Sequence, residues 1–259
     1  MKGVVSVVVA VLILSLSSNH VFAQSDTDNL RRLEQGDPDN TKWTRPILPW
    51  APFREERALS KGLLAPSPSD RTALAGFLRM PNTGLIRLLP REVCDSQIYH
   101  TKSPVNIPGG GAYYSFAHLT HFYGYGSDIE LDHNRLSVGF AGADYGMLTI
   151  LGDVPLEEIS KRDPRAQFIS SYKPPTPERQ ARAEAQRFRS RGGVTIDGSN
   201  YQMSLPLVEN STYLLRSIAY DHSDVLVAFR VFRKDKDGSA IIAWKLLKRY
   251  PTPELKQGK

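Results

Sequence analysis

Alternation of apolar and polar residues dominates the second half of the chain. Tyr213 to Tyr220, Val225 to Lys234 and Ser239 to Arg249 read as a three-stranded meander, with turns at Asp221-His-Ser-Asp224 and Lys236-Asp-Gly238. Its apolar face is expected to carry Leu214, Ile218, Tyr220, Val225, Val227, Phe229, Val231, Ile242, Trp244 and Leu246, interrupted by Arg216. Ahead of it, Val194-Thr-Ile196 pairs with Tyr201-Gln-Met203 across Asp197-Gly198. Ile129 to Asp132 and Arg135 to Ala141 form a hairpin around His133-Asn134, a register that sets Leu131 against Leu136 and Ile129 against Val138. Ala112 to Tyr123, Tyr145 to Leu151 and Gln167 to Tyr172 read as further strands, and Leu85 to Leu89 as an extended segment that resumes past Cys94.

Two helices interrupt this pattern. Ser67, Pro68 and Asp70 make a capping box before the short stripe of Leu74, Phe77 and Leu78, which Pro81 ends. Thr176 and Pro177 start a second helix that Gly192 closes, with a thin apolar face of Ala181, Ala185 and Phe188. The expected fold is therefore mainly β: an antiparallel β-sandwich or barrel of about ten short strands with two peripheral helices.

The amino-terminal quarter reads differently. Lys2, the apolar run Gly3 to Leu16 and the small-residue end Val21-Phe-Ala23 predict a signal peptide cleaved after Ala23. The fourteen residues of this run make a helix of about 21 Å, short of a ~30 Å hydrocarbon core. Residues 24–66 are expected to be a Pro-rich, poorly ordered arm, and residues 67–259 a single β-rich domain. In the arm, Thr44 to Arg54 places prolines at every third position around Trp50 and Phe53, the repeat of a polyproline II segment. No transmembrane segment is expected after signal cleavage, which places the product in the periplasm or outside the cell. The single cysteine, Cys94, rules out an intramolecular disulfide framework or a multi-cysteine metal site, and suits a bacterial exported protein.

Charge sharpens the picture. The formal +6 of the whole chain equals that of residues 230–259, where nine Lys or Arg face three Asp or Glu. Residues 124–158 carry seven acids against Arg135 alone. Nucleic acid is an unlikely partner for an exported chain, so the basic end reads first as solvated strand edges. Trp43, Ile47, Leu48, Trp50 and Phe53 read first as packing on the chain's own core; the alternative is a docking segment for an envelope protein or a glycan, through the arm around Trp50 and Phe53.

Candidate chemistry concentrates between residues 118 and 144. His121, Tyr123, Asp128, Glu130, Asp132, His133 and Asp144 form the candidate ligand-binding set. On a strand, His118 and His121 point to opposite faces, so they do not share a metal. Asp128, Glu130 and Asp132 share one face as a carboxylate ladder, which reads either as the solvent side of a hairpin or as an acid/base or cation site. Asp221-His-Ser-Asp224 is a turn rather than a triad, since triads assemble in space. Gly109-Gly-Gly111 lacks the helix and Lys of a phosphate loop, and no G-x-S-x-G elbow occurs. No catalytic residues, cofactor or metal are assigned. The sequence favours an exported binding or interaction module of unknown ligand. The alternative is an extracytoplasmic hydrolase or metal-dependent enzyme built on segment 118–144.

Overall fold

The computed structural model describes residues 62–95, 105, 107, 109–124 and 126–256. The expected leader and most of the arm, with Trp50 and Phe53, lie outside the described residues. The described chain is mainly β, with eleven strands in antiparallel sheets. Strands β1 (Thr83–Leu88), β5 (Tyr145–Gly152), β9 (Thr212–Ala219), β10 (Ser223–Lys234) and β11 (Ala240–Arg249) form one sheet, in the order β1-β11-β10-β9-β5. A second sheet has the order β2-β3-β4-β8, from Tyr113–Tyr114, Ile129–Asp132, Arg135–Ser137 and Ser204–Pro206. β6 (Val194–Ile196) and β7 (Ser199–Tyr201) make a small hairpin across Asp197-Gly198. Five α-helices, α1 (Pro68–Ala73), α2 (Ala75–Leu78), α3 (Arg91–Cys94), α4 (Gln167–Ser171) and α5 (Glu178–Arg189), and two 3-10 turns, Leu156–Glu158 and Pro164–Ala166, complete the described set.

The meander forms where the alternation places it, but one strand is turned over. Ser223 pairs with Ala219, so the β9–β10 connection holds three residues, Tyr220 to His222, with Asp221 at φ +62°. An odd connection pairs odd positions with odd ones, setting Val225 opposite Ser217, Val227 opposite Leu215 and Phe229 opposite Tyr213. Leu214, Arg216 and Ile218 therefore share the other face with Asp224, Leu226 and Ala228. Arg216 does not interrupt the core wall of Val225, Val227 and Phe229; it lies behind it.

Both faces of this sheet are covered, which is why β9 is buried along its whole length. The first face meets the four-stranded sheet in one hydrophobic core, where Phe116 stacks on Phe229 at 6.4 Å and packs edge-on to Trp244 at 5.5 Å. Against the second face lie α4 and α5, with Tyr145 stacked on Phe188 at 6.1 Å and edge-on to Tyr172. Ala181, Ala185 and Phe188 are buried, so the thin apolar face of α5 is the face that docks.

Three expected extended segments fold otherwise. Gln167–Ser171 is helical, because Asp163 caps the preceding turn and Pro164 starts it. Past Pro90 the chain turns into α3 instead of continuing as a strand. The aromatic run Ala112 to Tyr123 keeps two strand residues and then doubles back through a turn closed by a Ser115–Thr120 bridge. Packing also starts ahead of Ser67: Leu64 is fully buried in a second small cluster with Leu89, Cys94, Val105, Ile107 and Tyr113.

Candidate functional site

The doubling back at Ser115 is organised by Asp128. Its Oδ2 accepts from the Phe116 amide at 2.6 Å, the Ala117 amide at 3.2 Å and the Ser115 hydroxyl at 3.3 Å. The carboxylate is fully buried, and its Oδ1 has no hydrogen-bond partner. Burial pushes the Asp128 pKa up to about 6 against the pull of the Ser217 hydroxyl, those amides and the Ser115 hydroxyl. His118, on the same turn, is held neutral: burial and the nearby Arg249 and His222 bring its pKa down to about 3. With a turn in place of a strand, the opposite-face argument separating His118 from His121 does not apply. His121 Nε2 sits 3.0 Å from the Arg87 carbonyl, and its ring packs edge-on to Tyr114 at 4.9 Å.

The other expected site residues go to separate places. Glu130 is buried and receives Arg91 Nη1 at 2.6 Å, while Arg91 Nε bonds Asp95 at 3.0 Å. Two members of the expected carboxylate ladder, Asp128 and Glu130, are thus covered rather than solvated. Asp144 accepts the Tyr220 amide at 2.9 Å. Burial, reinforced by the Asp221 and Asp128 carboxylates, pushes its pKa up to about 7 despite that amide. Tyr123 lies at the surface, its ring 4.5 Å from that of Tyr113. Cys94 is a buried thiol whose pKa burial raises to about 12, an inert core group.

Asp132 and His133 end the β3–β4 hairpin beside Glu92, a residue whose sequence neighbours gave no signal. Glu92 Oε2 accepts the His133 amide at 2.9 Å, and His133 Nδ1 lies 2.9 Å from Asp132 Oδ1. One donor atom from each of the three residues falls within 4.8 Å of the others.

None of the seven expected residues lines the open cavity found at the β1 edge, about 290 Å³ in volume. Its walls are Asn82, Thr83, Gly84 and Leu85 from the start of β1, Trp244 from β11, Tyr114 from β2 and Leu119 from the turn below it. Gly84 and Trp244 are cross-strand partners. A Cβ on Gly84 would lie 2.5 Å from Cε2 and 2.6 Å from Nε1 of the indole, so glycine is what lets the ring lie across the strand. The indole Nε1 is buried without a hydrogen-bond partner. Leu119 reaches the cavity from a left-handed backbone, φ +56°. The Leu246 amide bonds the Asn82 carbonyl, which turns the peptide groups of Thr83 and Leu85 away from β11. Among the described residues β1 pairs with β11 alone, so those groups face the cavity edge.

The basic carboxy-terminal strands are tied up locally. Arg230 bonds Asp153 at 2.6 Å, Arg233 bonds Asp70 and Asp235, and Arg249 bonds the Ala117 carbonyl at 2.7 Å. Comparison with family models, curated proteins and solved structures finds no match for this chain. Among the described residues no helix is long and apolar enough to cross a membrane.

Proposed function

We propose that this chain is an exported bacterial binding protein that seats a small neutral ligand, a sugar ring, in the cavity between β1, Trp244 and Tyr114. The lining carries the reading: two aromatic rings and Leu119 for a flat apolar face, peptide groups and the Asn82 side chain for hydroxyls, and no charged residue. A volume of about 290 Å³ suits one ring rather than a polymer segment. Export rests on the leader-like first 23 residues, and a glycan is the partner class that an envelope or extracellular location offers. Acid/base chemistry by the 118–144 set would require those groups around one opening, whereas they are spread over a buried turn, an ion pair and a hairpin tip.

Calorimetric titration with glucose, N-acetylglucosamine, cellobiose and maltose tests this. Saturable binding with a Kd of about 1 mM or tighter for at least one sugar is expected. Leu119→Trp, which fills the cavity, should abolish it. Absence of binding to all four up to about 10 mM, or binding indifferent to Leu119→Trp, refutes the reading.

A further inference from the structure

We infer that Glu92, Asp132 and His133 form a binding site for a divalent first-row transition cation, with zinc the best fit. The site is separate from the sugar cavity and does not rest on that reading. Its donors are an imidazole nitrogen and two carboxylate oxygens, all within 4.8 Å of one another. An imidazole among the donors favours zinc and its neighbours over calcium or magnesium, which take oxygen. His133 Nδ1 and Asp132 Oδ1 are 2.9 Å apart. Two ligands ~2.1 Å from one ion at the tetrahedral angle stand ~3.4 Å apart, so a rotation that opens the pair by ~0.5 Å would let it span one edge of a zinc coordination shell.

The fold sets these groups in place. His133 and Asn134 form the two-residue turn of the hairpin, at φ +46° and +59°. Glu92 comes from α3, 41 residues away in sequence, and its Oε2 is held by the His133 amide. The carboxylate is thereby fixed at the hairpin tip. Arg91, next to Glu92, is spent on Glu130 and Asp95. The site is reachable, since the His133 side chain is 63% exposed and that of Asp132 23%, which leaves room for water to complete the shell. A bound ion would clamp α3 to the hairpin and replace the His133–Asp132 hydrogen bond with two coordinate bonds.

Calorimetry with zinc chloride on the purified protein tests this, with magnesium and calcium titrated alongside. One site with a Kd in the micromolar range, roughly 1–50 μM, is expected for zinc, with much weaker heats for the other two. His133→Asn keeps a residue that tolerates the left-handed turn, and Glu92→Gln keeps the shape of the α3 contact. Each should weaken zinc at least tenfold while the circular dichroism spectrum stays that of the parent. Zinc binding weaker than about 1 mM, or equally tight in both variants, overturns the assignment.

Discussion

Arg216 and Asp224 show what a single register shift does to a residue's role. Both are almost fully buried, joined by a two-pronged ion pair in which Nη2 meets Oδ2 at 2.8 Å. The guanidinium also donates to the Ile169 carbonyl at 2.8 Å and lies 3.2 Å from the centroid of the Tyr250 ring. Every direction from which water would approach is thus taken by protein. Removing one partner strands a charge in that setting, so Asp224→Ala should cost about 3–5 kcal/mol of unfolding free energy. The pair Arg216→Met with Asp224→Leu removes both charges and should recover most of that loss. Denaturant unfolding of the single and double variants checks this; equal losses in both would contradict it. Sequence spacing could say that Arg216 falls among apolar neighbours. It could not say that Asp224 lies diagonally across from it, because that depends on the length of the turn between them. A similar limit applies to Asp128 and Glu130. Alternation assigns two side chains to one face, but what covers that face is decided by the Ser115–Thr120 turn and by Arg91, both remote in sequence.

At the level of elements, the sequence was most legible where the signal was local. The capping box at α1 is present as read, with the Asp70 amide donating to Ser67 Oγ at 3.1 Å and the Ser67 amide to Asp70 Oδ2 at 3.1 Å. The His133-Asn134 hairpin has the expected register, Leu131 against Leu136. Errors arose where a nonlocal bond overrode a propensity, as when Asp128 captured the amides of an aromatic run that otherwise reads as strand. The β1–β11 pair carried no sequence signal, for its strands are separated by most of the chain. Within this pair Gly84 lies beneath Trp244, and the two form one wall of the cavity. Gly84→Ala forces the indole off the strand. Overpacking of this kind should cost about 1–3 kcal/mol and redshift the Trp244 emission as the ring moves outward. Thermal unfolding with tryptophan fluorescence measures both, and a variant matching the parent in each would show that the ring has room to spare.

Across the molecule, the buried titratable groups set an unusual response to pH. Asp128 and Asp144 have pKa values raised to about 6 and about 7. An unfolded carboxyl ionises near its model value of 3.8, so between that pH and about 7 the folded state holds protons that the unfolded state has lost. These groups stabilise the fold fully below pH ~3.8, and the contribution fades as pH rises through their folded values. His118 works the other way. Its folded pKa near 3 lies below the model 6.5, so its contribution is lost as pH falls between those values. Over this range Asp128 and Asp144 together outweigh one imidazole, and stability should rise as pH falls from 7 towards 5. Below about 4 the trend reverses, because Asp70, Asp163 and Asp237 have lowered values and lose their hydrogen bonds and ion pairs on protonation. Asp144→Asn isolates one contributor: the amide keeps an oxygen for the Tyr220 N–H and cannot ionise. The variant should match the parent below pH ~3.8 and exceed it at pH 8 by about 1–2 kcal/mol, after allowance for partial exposure. Chemical denaturation at both pH values decides the matter, and a variant less stable than the parent at pH 8 would mean that the Asp144 carboxylate is held ionised by the fold.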